Sequence, residues 1–83
     1  MVEDLVEIVR GREGWTFAGD VATFRAGDWS ATVRRPAIPT RPSHRWSIAV
    51  IHPDGAAAYG TWASSAAEAV RAAERQVRGQ AAR

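Results

Sequence analysis

The chain has 83 residues, of which 46% are hydrophobic and 24% charged, as is typical of one small globular domain rather than a disordered segment. It has no cysteine, which excludes disulfide bonds and thiolate chemistry, and no apolar run approaches the roughly 18 residues of a membrane-spanning helix. The net charge of +2 is too small to indicate nucleic-acid binding by itself. Because the N-terminus is acidic and unlike a secretory signal, we expect a cytoplasmic protein without a membrane partner.

The first half of the chain predicts a short helix and three short strands. Residues 2–10 place apolar side chains on one helical face, and Gly11 is suited to end that helix. The tripeptide Ala-Gly-Asp occurs at 18–20 and again at 26–28, and Gly-Asp pairs are typical of tight turns. These turns separate strands that we predict near residues 15–18, 21–25 and 29–35.

The second half of the chain predicts a β-hairpin. Residues 45–52 show the alternation of a half-buried strand, and residues 57–62 form the return strand. His52-Pro53-Asp54-Gly55 lies between them. These residue types favour a tight turn, because proline fixes φ and glycine adopts the left-handed region.

A longer helix is predicted at residues 65–78. Ser65 and Glu68 have the spacing of a capping box, and Gly79 is suited to end the helix. Two acid–arginine pairs are spaced for modest contacts along this helix: Glu68 with Arg71, and Glu74 with Arg78. We therefore predict a single α+β domain over residues 1–83. Its small antiparallel sheet of four to five strands carries a short N-terminal helix and a longer C-terminal helix on one face.

Basic residues are concentrated in the middle of the chain, where acidic residues are absent. No aspartate or glutamate occurs between Trp29 and Pro53, and the segment 35–44 contains three prolines, which favour an extended loop. A locally basic stretch is a candidate surface for nucleic acid or another acidic partner. The residues that we assign to this surface are Arg25, Arg34, Arg35, Arg41, His44 and Arg45. An ordinary solvated rim also explains these arginines, and a GC-rich bacterial or phage genome also explains the absence of lysine.

The sequence contains no catalytic or metal-binding pattern. His44 and His52 have no second ligand at a metal-binding spacing, and Ser64 and Ser65 fit a helix cap better than a nucleophile. We therefore expect a protein that is not an enzyme and that uses no metal, cofactor or small-molecule substrate.

The four tryptophans fall one to each of four predicted strands. Trp29 and Trp46 have the same spacing as the apolar residues of their strands, which favours core packing over a stacking platform for nucleotide bases. Trp15 follows Gly14 at the start of a strand, and we expect it to be the most exposed of the four.

Part of the chain resembles a known type of DNA-binding domain. The Trp-led strand at 46–50, Tyr59-Gly60-Thr61-Trp62, and the Ser-Ala-Ala-Glu-Ala helix start at 65–69 are similar to three-stranded-sheet-plus-helix domains. These include the arm-site-binding domain of tyrosine recombinases and the plant ethylene-response-factor domain, and small HicB-type antitoxin domains share the same sequence pattern. The resemblance covers residues 29–76. It implies a sheet that lies in the major groove and contacts DNA through basic and aromatic residues.

The chain departs from that pattern on the strand at 45–52. Its outward positions Ser47, Ala49 and Ile51 are not basic, and only Arg34 and Arg45 match basic strand positions. Our leading expectation is nucleic-acid binding through a basic β-ribbon and the Pro/Arg loop. The alternative is a protein-interaction module, such as a phage-encoded inhibitor or antitoxin-like accessory protein. It would bind a protein partner or itself through an apolar sheet face that includes Ala49, Ile51 and Ala57.

Overall fold

A five-stranded antiparallel sheet forms the centre of the protein. The computed structural model describes residues 5–35 and 45–82. The strands are β1 (Trp15–Ala18), β2 (Val21–Ala26), β3 (Trp29–Arg34), β4 (Trp46–Ile51) and β5 (Ala57–Ala63); helix α1 (Leu5–Val9) precedes them and α2 (Ala66–Ala81) follows. The strand order β1-β2-β3-β4-β5 follows the chain. The predicted α+β class, with a short and a longer helix packed on an antiparallel sheet, is confirmed.

Glycine residues make the tight turns between strands. Gly19 and Gly27 each have a φ of 62°, and the aspartate after each has a negative φ, as in a type II′ turn. Gly55 has a φ of 94° in the β4–β5 turn, where its N–H donates to the His52 carbonyl at 2.9 Å. The predicted turns at these positions are therefore observed, and each one sets the register of the strands that it joins.

One face of the sheet is buried beneath both helices. The buried side chains alternate along the strands, as Ile48 and Val50 do on β4, and neither is exposed at all. Helix α2 meets this face with small side chains, among them Ala66, Ala69 and Ala73, which allow close approach of helix and sheet. Full burial of a side chain such as Ile48 stabilises the fold by about 1.5–3 kcal/mol. The burial pattern therefore fixes which face of the sheet is inside.

Helix α2 begins where the sequence predicts, but it ends later. The Ser65 hydroxyl accepts the Glu68 N–H at 3.1 Å, as a capping residue should, and the Glu68 carboxylate accepts the Ser64 hydroxyl at 2.9 Å. The helix continues through Gly79 to Ala81, so the prediction that Gly79 ends it is wrong. Glycine costs about 1 kcal/mol inside a helix, too little to stop a last turn that is closed by hydrogen bonds.

Helix α1 is described from Leu5, so residues 2–4 of the predicted helix lie outside the described residues. It ends at Val9, whose carbonyl accepts the Arg12 N–H at 3.0 Å, and Gly11 follows with a φ of 77°. Gly11 therefore closes this helix as predicted. Leu5 and Val9 join the core under α2.

Candidate nucleic-acid interface

The second face of the sheet, which we call the open face, has no described helix on it, because both helices pack on the buried face. Its side chains alternate with the buried ones and are exposed or half-buried. Six of them mark its extent: Arg25, Ser30, Thr32, Arg34, Ser47 and Trp62. Five of these six side chains are arginine, serine or threonine, which can donate hydrogen bonds to a partner.

The charged residues of the sheet are two arginines and no acid. Arg25 on β2 and Arg34 on β3 are both exposed, and both lie on the open face. Three acidic residues lie instead in turns between strands, at Asp20, Asp28 and Asp54. The strands therefore present only positive charge to whatever contacts the open face.

Arg34 shares one row of the sheet with an exposed aromatic ring. In the antiparallel register Arg34 is opposite Ser47, and Ser47 is opposite Trp62. Strands lie about 4.8 Å apart, so the Cα atoms of Arg34 and Trp62 are about 10 Å apart across β4. Trp62 is 47% exposed. A cation and a large aromatic ring thus flank a single serine on the open face.

The other three tryptophans lie on the helix side of the sheet. Trp46 is buried and Trp29 packs against the core, with its ring centroid 4.7 Å from that of His52. Trp15, which we expected to be exposed, instead packs on Phe24 with ring centroids 5.3 Å apart. The expectation for Trp15 is wrong because its indole N–H finds an acceptor on α2. The exposed ring is that of Trp62.

The arginines around the β3–β4 loop divide between the two faces. Arg34 lies on the open face, whereas the Arg35 guanidinium carbon lies 4.9 Å from the ring centroid of Trp46, on the helix side. Arg45 is exposed and directly precedes β4. Arg41 and His44 lie outside the described residues. The structure therefore brings Arg34, Arg35 and Arg45 to one end of the sheet.

Arg25 lies at the opposite end of the open face. It pairs with Ser30, which is four positions from Arg34 along β3, a distance of about 13 Å. An open cleft of about 470 Å³ adjoins Arg25 between the β2–β3 and β4–β5 turns, and Asp28 and His52 also line it. Because this cleft combines both signs of charge, it suits a polyanion less well than the end that carries Arg34.

The apolar residues predicted as a protein-contact face are only partly accessible. Ala49 and Ile51 are half-buried on the open face, and Ala57 is exposed opposite Ile51. Ile51 and Ala57 lie in the same row as Arg25 and Ser30, and Ala49 lies one open-face row closer to Arg34. Strand β5, which contains Ala57, is an outer strand of the sheet.

Glu74 on α2 is the buried charged residue among those described, with 7% of its surface exposed. Arg12 Nε donates to Glu74 Oε2 at 3.0 Å, Arg12 Nη2 donates to Oε1, and Trp15 Nε1 donates to Oε2 at 2.8 Å. The hydrogen bonds from Arg12 lower the pKa of Glu74 below its ordinary value, despite the opposing effect of burial. This arrangement ties the segment before β1 to α2, and sequence spacing could not reveal it.

Neither predicted intrahelical pair forms a salt bridge among the described residues. Glu74 bonds to Arg12, while Arg78 places its guanidinium carbon 5.4 Å from the Phe24 ring centroid. Arg71 and Arg75 are exposed on α2, on the side away from the sheet. They provide a second pair of surface arginines that is remote from the open face.

Within residues 5–35 and 45–82, no group of three or more histidine, aspartate and glutamate side chains is placed to hold a metal ion. In the same ranges, neither helix has the length and apolar character needed to cross a membrane. Comparison with protein families, curated proteins and solved structures gave no match. A functional proposal therefore depends on the chain's own residues, and above all on the open face.

Proposed function

We propose that this protein binds nucleic acid through the open face of its sheet and the basic segment between β3 and β4. The observation that carries the proposal is the charge distribution of the sheet. Its strands carry Arg25 and Arg34 on the open face and no acid anywhere. Phosphate groups are recognised by arginine, serine and threonine side chains of this kind.

Arg35 and Arg45 add positive charge beside Arg34 at the end of the sheet where the Pro/Arg loop begins and ends. A strand of nucleic acid that crosses the open face at this end would meet Arg34, Arg45 and the Ser47 hydroxyl, with Arg35 on the helix side of the same end. We propose that the protein acts by binding, without catalysis, in the cytoplasm of a bacterium or of a phage-infected cell with a GC-rich genome.

Salt dependence tests this proposal directly. Three phosphate contacts give a slope of about −2 to −3 in log affinity against log salt. We therefore expect affinity for a labelled oligonucleotide, measured by fluorescence anisotropy, to fall about 20- to 40-fold between about 50 and 200 mM salt. Binding that is indifferent to salt would contradict the proposal.

A matched pair of double variants locates the surface. R34Q/R45Q removes two arginines at the β3–β4 end, and R71Q/R75Q removes two from the remote side of α2, so each takes the net charge from +2 to 0. We expect R34Q/R45Q to weaken binding and to reduce the salt slope by about 1 for each lost phosphate contact. R71Q/R75Q should keep the wild-type slope. Equal loss in both variants would show that only net charge matters.

The second candidate function is protein binding or self-association, which the outer strand β5 favours. Its seven residues, Ala57–Ala63, include no charge and no proline, the features that usually protect an edge strand from pairing with another chain. This reading predicts a homodimer of about twice 9.0 kDa by light scattering, disrupted by Ile51→Glu. A monomer across the accessible concentration range would exclude the homodimer.

A further inference from the structure

The open cleft at the Arg25 end of the sheet lies between two hairpin turns. Residues of the β2–β3 turn and of the β4–β5 turn line it, together with Ser30 and Ile51, which are opposite each other on β3 and β4. Its volume of about 470 Å³ falls within the range of about 300–1,000 Å³ that is typical of sites for small ligands. The cleft therefore has the size to receive a group such as one nucleotide.

Four polar side chains line this cleft, namely those of Arg25, Asp28, Ser30 and His52. None of the four makes a side-chain hydrogen bond or a salt bridge within residues 5–35 and 45–82. Arg25 and Asp28 have opposite charges and are three positions apart, yet they do not form a salt bridge with each other. Both charges are therefore available to a ligand that carries an anionic group and hydrogen-bond donors.

From these groups we infer that the cleft binds an unpaired guanine nucleotide, with its phosphate on Arg25 and Ser30 and its base-pairing edge on Asp28. This inference rests on the proposed function and specifies one contacted base. Arg25 and Ser30 are opposite each other in the β2–β3 register, so their side chains are close enough to share a phosphate.

The carboxylate of Asp28 selects guanine because it can only accept hydrogen bonds and can accept two side by side. Guanine presents two adjacent donors, N1–H and N2–H, on its base-pairing edge. Adenine and cytosine place one donor group beside an acceptor nitrogen, and thymine and uracil flank one N–H with two carbonyl oxygens. A carboxylate repels those acceptors, so each of the other bases fits less well.

The rest of the lining suits the flat faces of a base. Ile51 and Pro53 supply apolar surface, and the exposed His52 ring packs against Trp29 with ring centroids 4.7 Å apart. Aromatic side chains of this kind are surfaces on which unpaired bases stack. In a duplex the base-pairing edge of guanine is already occupied by cytosine, so the bound guanine must be single-stranded or extruded from the helix.

The test measures the preference for guanine by fluorescence anisotropy at one low salt concentration. Labelled single-stranded pyrimidine oligonucleotides carry one central guanine, hypoxanthine or adenine, where hypoxanthine is guanine without its N2 amino group. We expect the guanine strand to bind about 5- to 150-fold more tightly than the adenine strand, the effect of one bidentate contact, and the hypoxanthine strand to lie between them. Hairpin duplexes in which the central base is paired should show no such preference.

The repeated tripeptide of the two turns provides a matched pair of variants. Gly19 and Gly27 both have a φ of 62°, but Asp28 lines the cleft and Asp20 does not. Asp28→Asn and Asp20→Asn each raise the net charge from +2 to +3, so each should bind all strands somewhat more tightly. Only Asp28→Asn should lose the preference for guanine. Arg25→Gln should weaken the binding of all strands and keep the preference, and circular dichroism checks the fold of each variant.

The outcomes distinguish this inference from the proposed function. Equal affinity for the guanine and adenine strands, or a preference that persists in Asp28→Asn, refutes the inference while the proposed function stands. We expect free guanosine monophosphate to compete only weakly, because it lacks the further phosphates that Arg34 and Arg45 contact. If it binds as tightly as the guanine strand, the cleft is a site for a free nucleotide and the proposed function is refuted. If neither the strands nor the free nucleotide bind at low salt, both are refuted.

Discussion

Replacement of Glu74 by glutamine should destabilise the fold although it changes only one atom. Glu74 accepts three hydrogen bonds, two from the Arg12 guanidinium and one from the Trp15 indole. A glutamine at this position keeps one acceptor oxygen, but its amide NH₂ group, which can only donate, then faces the N–H donors of Arg12 and Trp15. The variant therefore loses the charge that these donors stabilise and leaves at least one of them without an acceptor.

The size of the effect follows from the exposure of the partners. A hydrogen bond to a charged group contributes about 1.5–3 kcal/mol when buried. The Arg12 side chain is 43% exposed and becomes hydrated in the variant, so each of its two hydrogen bonds contributes less than about 1.5–3 kcal/mol. We expect Glu74→Gln to lower the free energy of unfolding by about 2 kcal/mol in total. For a domain of this size, that corresponds to a fall of roughly 8–16 °C in Tm.

Acid should abolish this difference between wild type and variant. The folded-state pKa of Glu74 is lowered, so its stabilising contribution is fully present above the ordinary carboxyl value of 4.5 and is lost as pH falls through the folded-state pKa. The other carboxyl groups are the same in both proteins, so their contribution cancels in the comparison. Urea unfolding followed by circular dichroism, at neutral pH and at successively lower pH, measures the difference directly.

Glu7→Gln is the matched control, because it also removes one negative charge from an ion pair with an arginine. This pair is exposed: the side chain of Arg10 is 68% exposed and that of Glu7 is 59% exposed. Exposed pairs contribute about 0–1 kcal/mol, so this variant should stay near the wild type. A Glu74→Gln variant as stable as Glu7→Gln at neutral pH would refute the reasoning. So would a stability difference that persists unchanged into acid.

Four other substitutions test the backbone description, each by thermal unfolding. Gly14→Ala should cost more than about 2 kcal/mol of stability, because Gly14 has a φ of 87° and an added Cβ would lie 2.7 Å from Phe24 and 2.9 Å from the Arg25 carbonyl. Gly19→Ala should cost only about 1 kcal/mol, because nothing lies within 4 Å of a Cβ added there. Gly79→Ala should stabilise by up to about 1 kcal/mol, since this glycine lies inside α2 and a Cβ there meets nothing; a loss of stability would instead mean that the helix ends before it. Ser65→Ala should cost about 1 kcal/mol through the lost cap, and an unchanged Tm would show that the hydroxyl does not cap α2.

The elements that the sequence predicts correctly are those with local causes. Gly19, Gly27 and Gly55 form the expected turns because only the residue itself and its immediate neighbours determine a tight turn. The start of α2 is correct for the same reason, since the Ser65 hydroxyl accepts the Glu68 N–H within one turn, while the Glu68 carboxylate accepts the Ser64 hydroxyl rather than the Ser65 N–H of a full capping box. Its end is not, because the local cost of Gly79 is small against the hydrogen bonds of a further turn.

The features that the sequence could not predict depend on distant partners. Trp15 is packed rather than exposed because its acceptor, Glu74, lies 59 residues away. Trp62 faces the open side because of its register against Ser47, and an irregularity at Val50/Ile51 shifts the β4–β5 pairing in a way that alternation alone does not show. The sequence groups Arg25 and Arg34 in one basic surface, yet they lie at opposite ends of the open face, separated by the length of β3.

The strand order determines the sequence separation between contacting residues, and this separation affects the folding rate. Every strand pairs with the next one, so hairpins can assemble from local contacts, whereas the Arg12–Glu74 ion pair joins residues 62 positions apart. Closing so long a loop costs entropy before any contact compensates for it. We expect this ion pair to form after the folding transition state, so that it governs the lifetime of the native protein. In stopped-flow kinetics, Glu74→Gln should accelerate unfolding and leave the refolding rate nearly unchanged.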